Sequence, residues 1–147
     1  MKQLTRCVSI FMVAVLILTS TVFAAENVEP RGSSFFICSS AYLYRENAND
    51  RTFAAFFDVT GTHTMDKIGA SVLKIQRSPD GENWTTMKTY RMEDYPELIC
   101  ENTIQHDCYF YYTGTSGYYY RMYVELYAED SSGVGIWYKY SSKILIS

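Results

Sequence analysis

Proline, glycine and histidine are scarce here, at three, eight and two residues in 147. A chain this poor in turn formers that carries fourteen tyrosines is too aromatic for a disordered linker and too strand-like for a helical bundle. Lysine and arginine never form a run, so the charge needed to neutralise nucleic-acid phosphate or an anionic membrane surface is missing. There is no internal repeat, no low-complexity tract and no amphipathic helix of useful length. The length also excludes large catalytic architectures such as the βα barrel, which needs roughly 250 residues. One compact domain is the expectation.

The one long apolar run lies at the start. Lys2 and Arg6 form a basic opening, Cys7 to Leu18 is almost wholly apolar, and Thr19-Ser20-Thr21 leads into Val22-Phe23-Ala24-Ala25. That order is the pattern of a secretory signal. Cleavage after Ala24 puts Val22 and Ala24 in the two recognition positions, whereas cleavage after Ala25 would place bulky Phe23 in one of them. The apolar core is short for a membrane span, and threonines end it. Cys7 precedes most of the apolar stretch, which is the wrong place for a lipidated cysteine. The organisation expected is a signal peptide over 1–24, an N-terminal arm over 25–33 containing Pro30 and Gly32, and a β domain over 34–147. The mature chain is then secreted and extracellular. It has no membrane contact after cleavage, and without Lys2 and Arg6 it carries 11 basic against 16 acidic side chains, a net of −5.

Beyond the arm the chain breaks into β-rich runs at short spacing. Phe35 to Tyr44 is the first. In Thr52 to Thr60, Phe53, Ala55, Phe57 and Val59 fall on one face at period two. Gly61 to Gly69 reads as a loop, and Ala70 to Ser78 as a strand. Ser78-Pro79-Asp80-Gly81-Glu82-Asn83 is a strong turn, because proline presets φ and glycine accepts a positive φ. Trp84 to Tyr90 returns, Glu93 to Leu98 makes one helical turn limited by Pro96, and Asp107 to Thr113 extends again. Tyr118 to Ala128 alternates most clearly, with Tyr120, Met122, Val124 and Leu126 on an apolar face. Gly135 to Ile146 is last. Seven strands of this kind predict an all-β, seven-stranded antiparallel sandwich. Its expected core is Phe53, Phe57, Leu73, Ile75, Trp84, Tyr120, Met122, Val124 and Leu126.

Sites of reaction chemistry are sparse. Cys100 and Cys108 bracket a polar, loop-like stretch and form the natural disulfide in an exported chain. A bridge to Cys38 is the rival, since connectivity does not follow from sequence. Cys38 otherwise reads as a small buried hydrophobe. Cys100, His106 and Cys108 fall short of the four ligands of structural zinc, so no metal and no cofactor are expected. A histidine-based hydrolase would rest on His63 near Asp66, or on His106 beside Asp107, yet no G-x-S-x-G nucleophile motif accompanies them. No catalytic residue is assigned. The candidate binding set is the mixed face of the Tyr118–Ala128 strand, namely Tyr119, Arg121, Tyr123 and Tyr127, with Trp137 of the last strand beside it. Such side chains stack on sugar rings or anchor protein partners. They equally serve as cross-strand pairs covering an ordinary sheet.

Ser78-Pro79-Asp80-Gly81-Glu82-Asn83-Trp84 resembles the S-x-D-G-x-x-W hairpin of extracellular β-sandwich modules. Gly117 to Ala128 resembles the sixth strand of a fibronectin-III/immunoglobulin-like domain, which implies that Tyr120, or alternatively Tyr118, is the corner tyrosine. Val59-Thr60-Gly61-Thr62, Met65-Asp66-Lys67-Ile68-Gly69-Ala70-Ser71, the Ser78–Trp84 turn, Lys88-Thr89-Tyr90 and Tyr119-Tyr120-Arg121 together resemble an uncharacterised family of small secreted proteins from Gram-positive, clostridia-like bacteria. The resemblance spans about Phe35 to Tyr140 and implies a fold and an address, with no activity to carry over. The expected role is a non-enzymatic binding or surface-interaction module, whose partner is a protein or glycan at the cell exterior. The alternatives are a carbohydrate-binding module using outward tyrosines and a small secreted hydrolase.

Overall fold

The computed structural model describes residues 34–147; the expected signal peptide (1–24) and arm (25–33) lie outside the described residues. The described chain is all-β, with seven strands in one antiparallel sheet: β1 (Phe36–Tyr44), β2 (Thr52–Ser78), β3 (Thr85–Arg91), β4 (Ile99–Thr113), β5 (Tyr118–Asp130), β6 (Gly133–Tyr140) and β7 (Ile144–Ile146). A 3-10 turn, Pro96–Leu98, precedes β4, close to the expected helical turn.

β2 is the spine. Its first half pairs with β1 on one side and with the end of β4 on the other. Its second half pairs with β5 on one side and with the start of β4 and then β3 on the other. The expected loop over 61–69 is therefore strand, paired at Lys67, Ile68 and Gly69 on both sides. The alternation there is masked by irregularities. Register shifts fall between Thr60 and Met65 against β4, and between Ala70 and Val72 against β5. The buried parity accordingly changes from odd (Phe53 to Met65) to even (Ile68, Ala70) and back to odd (Leu73, Ile75). Bulges of this kind bend a strand and sharpen its twist. At the bend the backbones approach closely, since a Cβ on Gly69 would lie 2.0 Å from the Leu98 carbonyl oxygen.

Buried side chains from both halves of β2 and from β5 belong to one core. Phe53 of β2 lies 5.3 Å from Tyr120 of β5, ring to ring. Every expected core residue is buried except Trp84. Trp84 lies partly exposed against the Arg121 guanidinium, 4.2 Å from its ring centre. Tyr120, by contrast, is 1 % exposed. Its hydroxyl oxygen accepts the Thr115 N–H at 2.8 Å, which anchors the β4–β5 turn to the core. Burying the ring with its hydroxyl satisfied avoids the penalty of an orphaned polar group.

The cysteine expectations need correction. Cys100 and Cys108 both stand on β4, and along an extended strand eight residues span on the order of 25 Å. A disulfide needs Cα atoms within about 7 Å, and all three described cysteines are free thiols. Cys38 is exposed rather than buried.

Candidate binding surfaces

Side chains opposite one another in an antiparallel pair share a face, so the register assigns each aromatic to the core or to solvent. On the second half of the sheet, Tyr119, Arg121, Tyr123 and Tyr127 of β5 share the outer face, as the sequence suggests. Trp137 does not join them. It pairs with buried Leu126 and so lies on the opposite face, and the side chains actually beside Tyr127 and Tyr123 are Ile136 and Tyr140. The one-residue difference reverses the side.

The β5 stripe is already occupied by the protein's own groups. Arg121 is held between Trp84 (4.2 Å) and Tyr140 (4.4 Å), and its Nε donates to Gln76 Oε1 at 2.8 Å. The Lys143 ammonium lies 5.1 Å from the Tyr119 ring centre, and that of Lys74 lies 5.3 Å from Tyr123. The Tyr127 hydroxyl donates to Glu129 at 2.7 Å. Burial, helped by that carboxylate, pushes the Tyr127 phenol up to about 12, and burial followed by the Glu125 charge raises Tyr123 as well. These four side chains are partly covered. Around them, Tyr138 and Tyr140 of β6 and Leu145 of β7 are about half exposed.

The other outer face, on β1, the first half of β2, and β4, was not singled out from sequence. Its register gives three consecutive rows. Tyr44, Ala54 and Tyr111 form one; Tyr42, Phe56 and Tyr109 the next; Ser40, Asp58 and Asp107 the third. Tyr42, Tyr44, Tyr109 and Tyr111 are 44 %, 56 %, 55 % and 65 % exposed, a level none of the four β5 side chains reaches. Tyr42 packs on Phe56 at 4.7 Å with a 30° tilt, and Tyr109 meets Tyr111 edge-on at 5.4 Å and 75°. Among the described residues, none of these five rings has a cation over it. A cleft of about 320 Å³ opens beside Tyr44 and Tyr111 and is also lined by Glu46 and Asp50.

The histidines are placed differently from the hydrolytic expectation. His63 Nε2 meets Asp130 at 2.8 Å, not Asp66, while its Nδ1 lies 3.1 Å from the Thr62 hydroxyl. That hydroxyl also reaches the Ser34 carbonyl at 3.2 Å. His106 points inward, its ring 6.0 Å from Phe57 and its Nε2 2.9 Å from the Glu97 carbonyl, while neighbouring Asp107 points out. Among the described residues no three of His, Cys, Asp and Glu converge as metal ligands. Burial is the main reason the Cys108 thiol is pushed up to about 11, with the Glu97 charge adding to it. Neutral at ordinary pH, this thiol is a poor nucleophile.

No family model matches the chain, and no curated protein matches it. Among solved structures, the sporulation control protein Spo0M from Bacillus subtilis is similar at 12 % identity and a TM-score of 0.45. The likeness covers 74 % of this chain and 48 % of that one, so this chain spans about half the length of the structure it matches.

Proposed function

We propose that the protein is an exported, non-enzymatic binding module, an immunoglobulin/fibronectin-III-like β-sandwich that meets its partner through the outer face of β1, β2 and β4. The observation that carries this is the pair of adjacent rows in which four tyrosines lie 44–65 % exposed. Large amphipathic rings grouped in the open are what interfaces and ligand platforms use. The sandwich reading is supported by the division of the sheet. The first half of β2 pairs with β1 and the end of β4, while its second half pairs with β3, the start of β4 and β5, and β5 carries β6 and β7. The Tyr120–Thr115 hydrogen bond, from a ring early in β5 back to a turn five residues upstream, has the form of a tyrosine corner. Export rests on the basic, apolar and small-residue order of residues 1–24, in keeping with the secreted Gram-positive family that the sequence resembles.

The test is a combined glycan and peptide array probed with the folded protein, with Tyr109→Ser/Tyr111→Ser and with Tyr123→Ala. Binding that disappears in the double variant and survives in Tyr123→Ala supports the reading. A ligand lost only with Tyr123→Ala would move the site to β5 and overturn it, as would silence across both arrays.

A further inference from the structure

The third row of the exposed face sets two carboxylates side by side. Asp58 and Asp107 are direct cross-strand partners, and like charges so placed repel. Ser40 donates a hydrogen bond to Asp58, but neither aspartate has a cation against it among the described residues. At the far end of the aromatic rows, Glu46 and Asp50 line the cleft beside Tyr44 and Tyr111. Aromatic rings with no described cation over them thus lie between two acidic ends. Of the described cations nearby, Arg45 and Arg51 belong to the β1–β2 turn, where Arg45 is held by the Ala48 and Asp50 carbonyls, and the Lys139 ammonium of β6 donates to the Ser39 carbonyl.

The opposite outer face shows what this chemistry accommodates. There, lysine and arginine side chains of the protein itself lie over the rings of Tyr119, Tyr123, Trp84 and Tyr140. The same ring type on the β1–β4 face has no such partner among the described residues and is flanked by negative charge, so its complement is a cation brought from elsewhere.

From this charge complementarity we infer that the β1–β2–β4 face receives a basic polypeptide segment. One lysine or arginine enters the cleft between Tyr44 and Tyr111, and a second lies against Asp58 and Asp107. The inference rests on the binding-module reading and names its partner class. Ring geometry favours a peptide over a sugar chain. A sugar chain stacks flat on rings that share a plane, whereas Tyr109 and Tyr111 stand at 75° to one another and offer no common plane, which a compact charged head does not need. The two anchor points are four residues apart along β2, from Ala54 to Asp58, or roughly 13 Å. An extended segment matches that span with basic residues about four apart.

The experiment is fluorescence anisotropy on the folded protein with a labelled Gly/Ser peptide carrying lysine at every fourth position. The comparison probes are its fully acetylated form, a neutral N-acetylglucosamine oligomer and a glucosamine oligomer. The lysine peptide should bind, and acetylation should weaken it by roughly tenfold or more, because the charge is removed with little change of shape. Asp58→Asn/Asp107→Asn, and separately Tyr44→Ser/Tyr111→Ser, should each weaken it by about tenfold, and raised salt should weaken it further. Tyr123→Ala should leave it unchanged. The Asp107→Asn single variant changes one exposed side chain and keeps the Ser40–Asp58 bond, so it reports on charge even if the double variant folds poorly. Equal binding of the acetylated peptide, or indifference to both aspartate variants, overturns the inference. Preference for either sugar oligomer overturns it too while leaving the binding-module reading intact, and binding of none of the four probes counts against both.

Discussion

The two outer faces of the sheet carry the same kind of side chain and use it differently. On the β5 face, Tyr119, Tyr123 and Tyr127 lie beneath lysines or bond to a neighbouring carboxylate, and Arg121 fills the space between Trp84 and Tyr140. On the β1–β4 face, Tyr42, Tyr44, Tyr109 and Tyr111 stand about half exposed, and among the described residues no cation lies above them. A tyrosine is not a binding residue by its identity or by pointing outward. What matters is whether the neighbouring strands supply a partner for its ring and hydroxyl. Where they do, the ring is structural; where they do not, it remains free for something else.

The most damaging way to break the comparison is to remove the bend that separates the faces. Gly69→Ala would push a Cβ to 2.0 Å from the Leu98 carbonyl oxygen. It should cost at least about 3–4 kcal/mol in urea denaturation, enough to abolish cooperative folding in a marginal domain. Near-native stability would mean that the backbones at Gly69 and Leu98 can shift apart at the bend.

Thiol chemistry contrasts the outside of the β1–β4 layer with its inside. Cys38 is exposed, whereas Cys108 faces inward with its thiol at about 11. A thiol three units above the working pH is about 0.1 % thiolate, so at pH 8 Cys108 should alkylate last, and its rate should climb roughly tenfold per pH unit up to about 11. After unfolding without reductant, mass spectrometry should count three alkylated thiols in the described region. A count of one would restore a disulfide.

Smaller effects separate the faces directly. Arg121→Ala removes two ring contacts and the bond to Gln76, and should cost about 1–2 kcal/mol. Tyr111→Ser removes a ring that is 65 % exposed and should stay within about 0.5 kcal/mol. Equal costs in parallel urea titrations would erase the distinction between a structural and a free aromatic. Smallest is Asp107→Asn, which relieves the repulsion with Asp58 and should stabilise by a few tenths of a kcal/mol. Together with weaker peptide binding, that gain would show function maintained at some cost to stability.

Much of this was legible in the chain, and the failures have definite causes. Phe53 to Val59 and Tyr118 to Ala128 alternate without interruption, so their buried faces follow from period two alone. Residues 61–69 lack that alternation because bulges change the parity, and the same stretch therefore imitates a loop. The polar run between Cys100 and Cys108 imitates a loop as well, but it is one strand whose Glu101, Gln105 and Asp107 simply face solvent. Trp137 was misplaced by one position of register, a quantity set by the partner strand. The exposed tyrosines were overlooked for a related reason. In Tyr109-Phe110-Tyr111-Tyr112 both parities are aromatic, so periodicity does not distinguish the outer pair from the inner one. Only the pairing with Phe56 and Ala54 does so.

Graded nitration of the folded protein, read tyrosine by tyrosine in mass spectrometry, tests the difference between the faces most directly. Tyr42, Tyr44, Tyr109 and Tyr111 should react early. Tyr123 and Tyr127, their phenols raised by burial and neighbouring carboxylates, should lag with Tyr119 and react fully only once the chain unfolds. Early modification of Tyr119, Tyr123 and Tyr127, with the β1 and β4 tyrosines protected, would contradict the account.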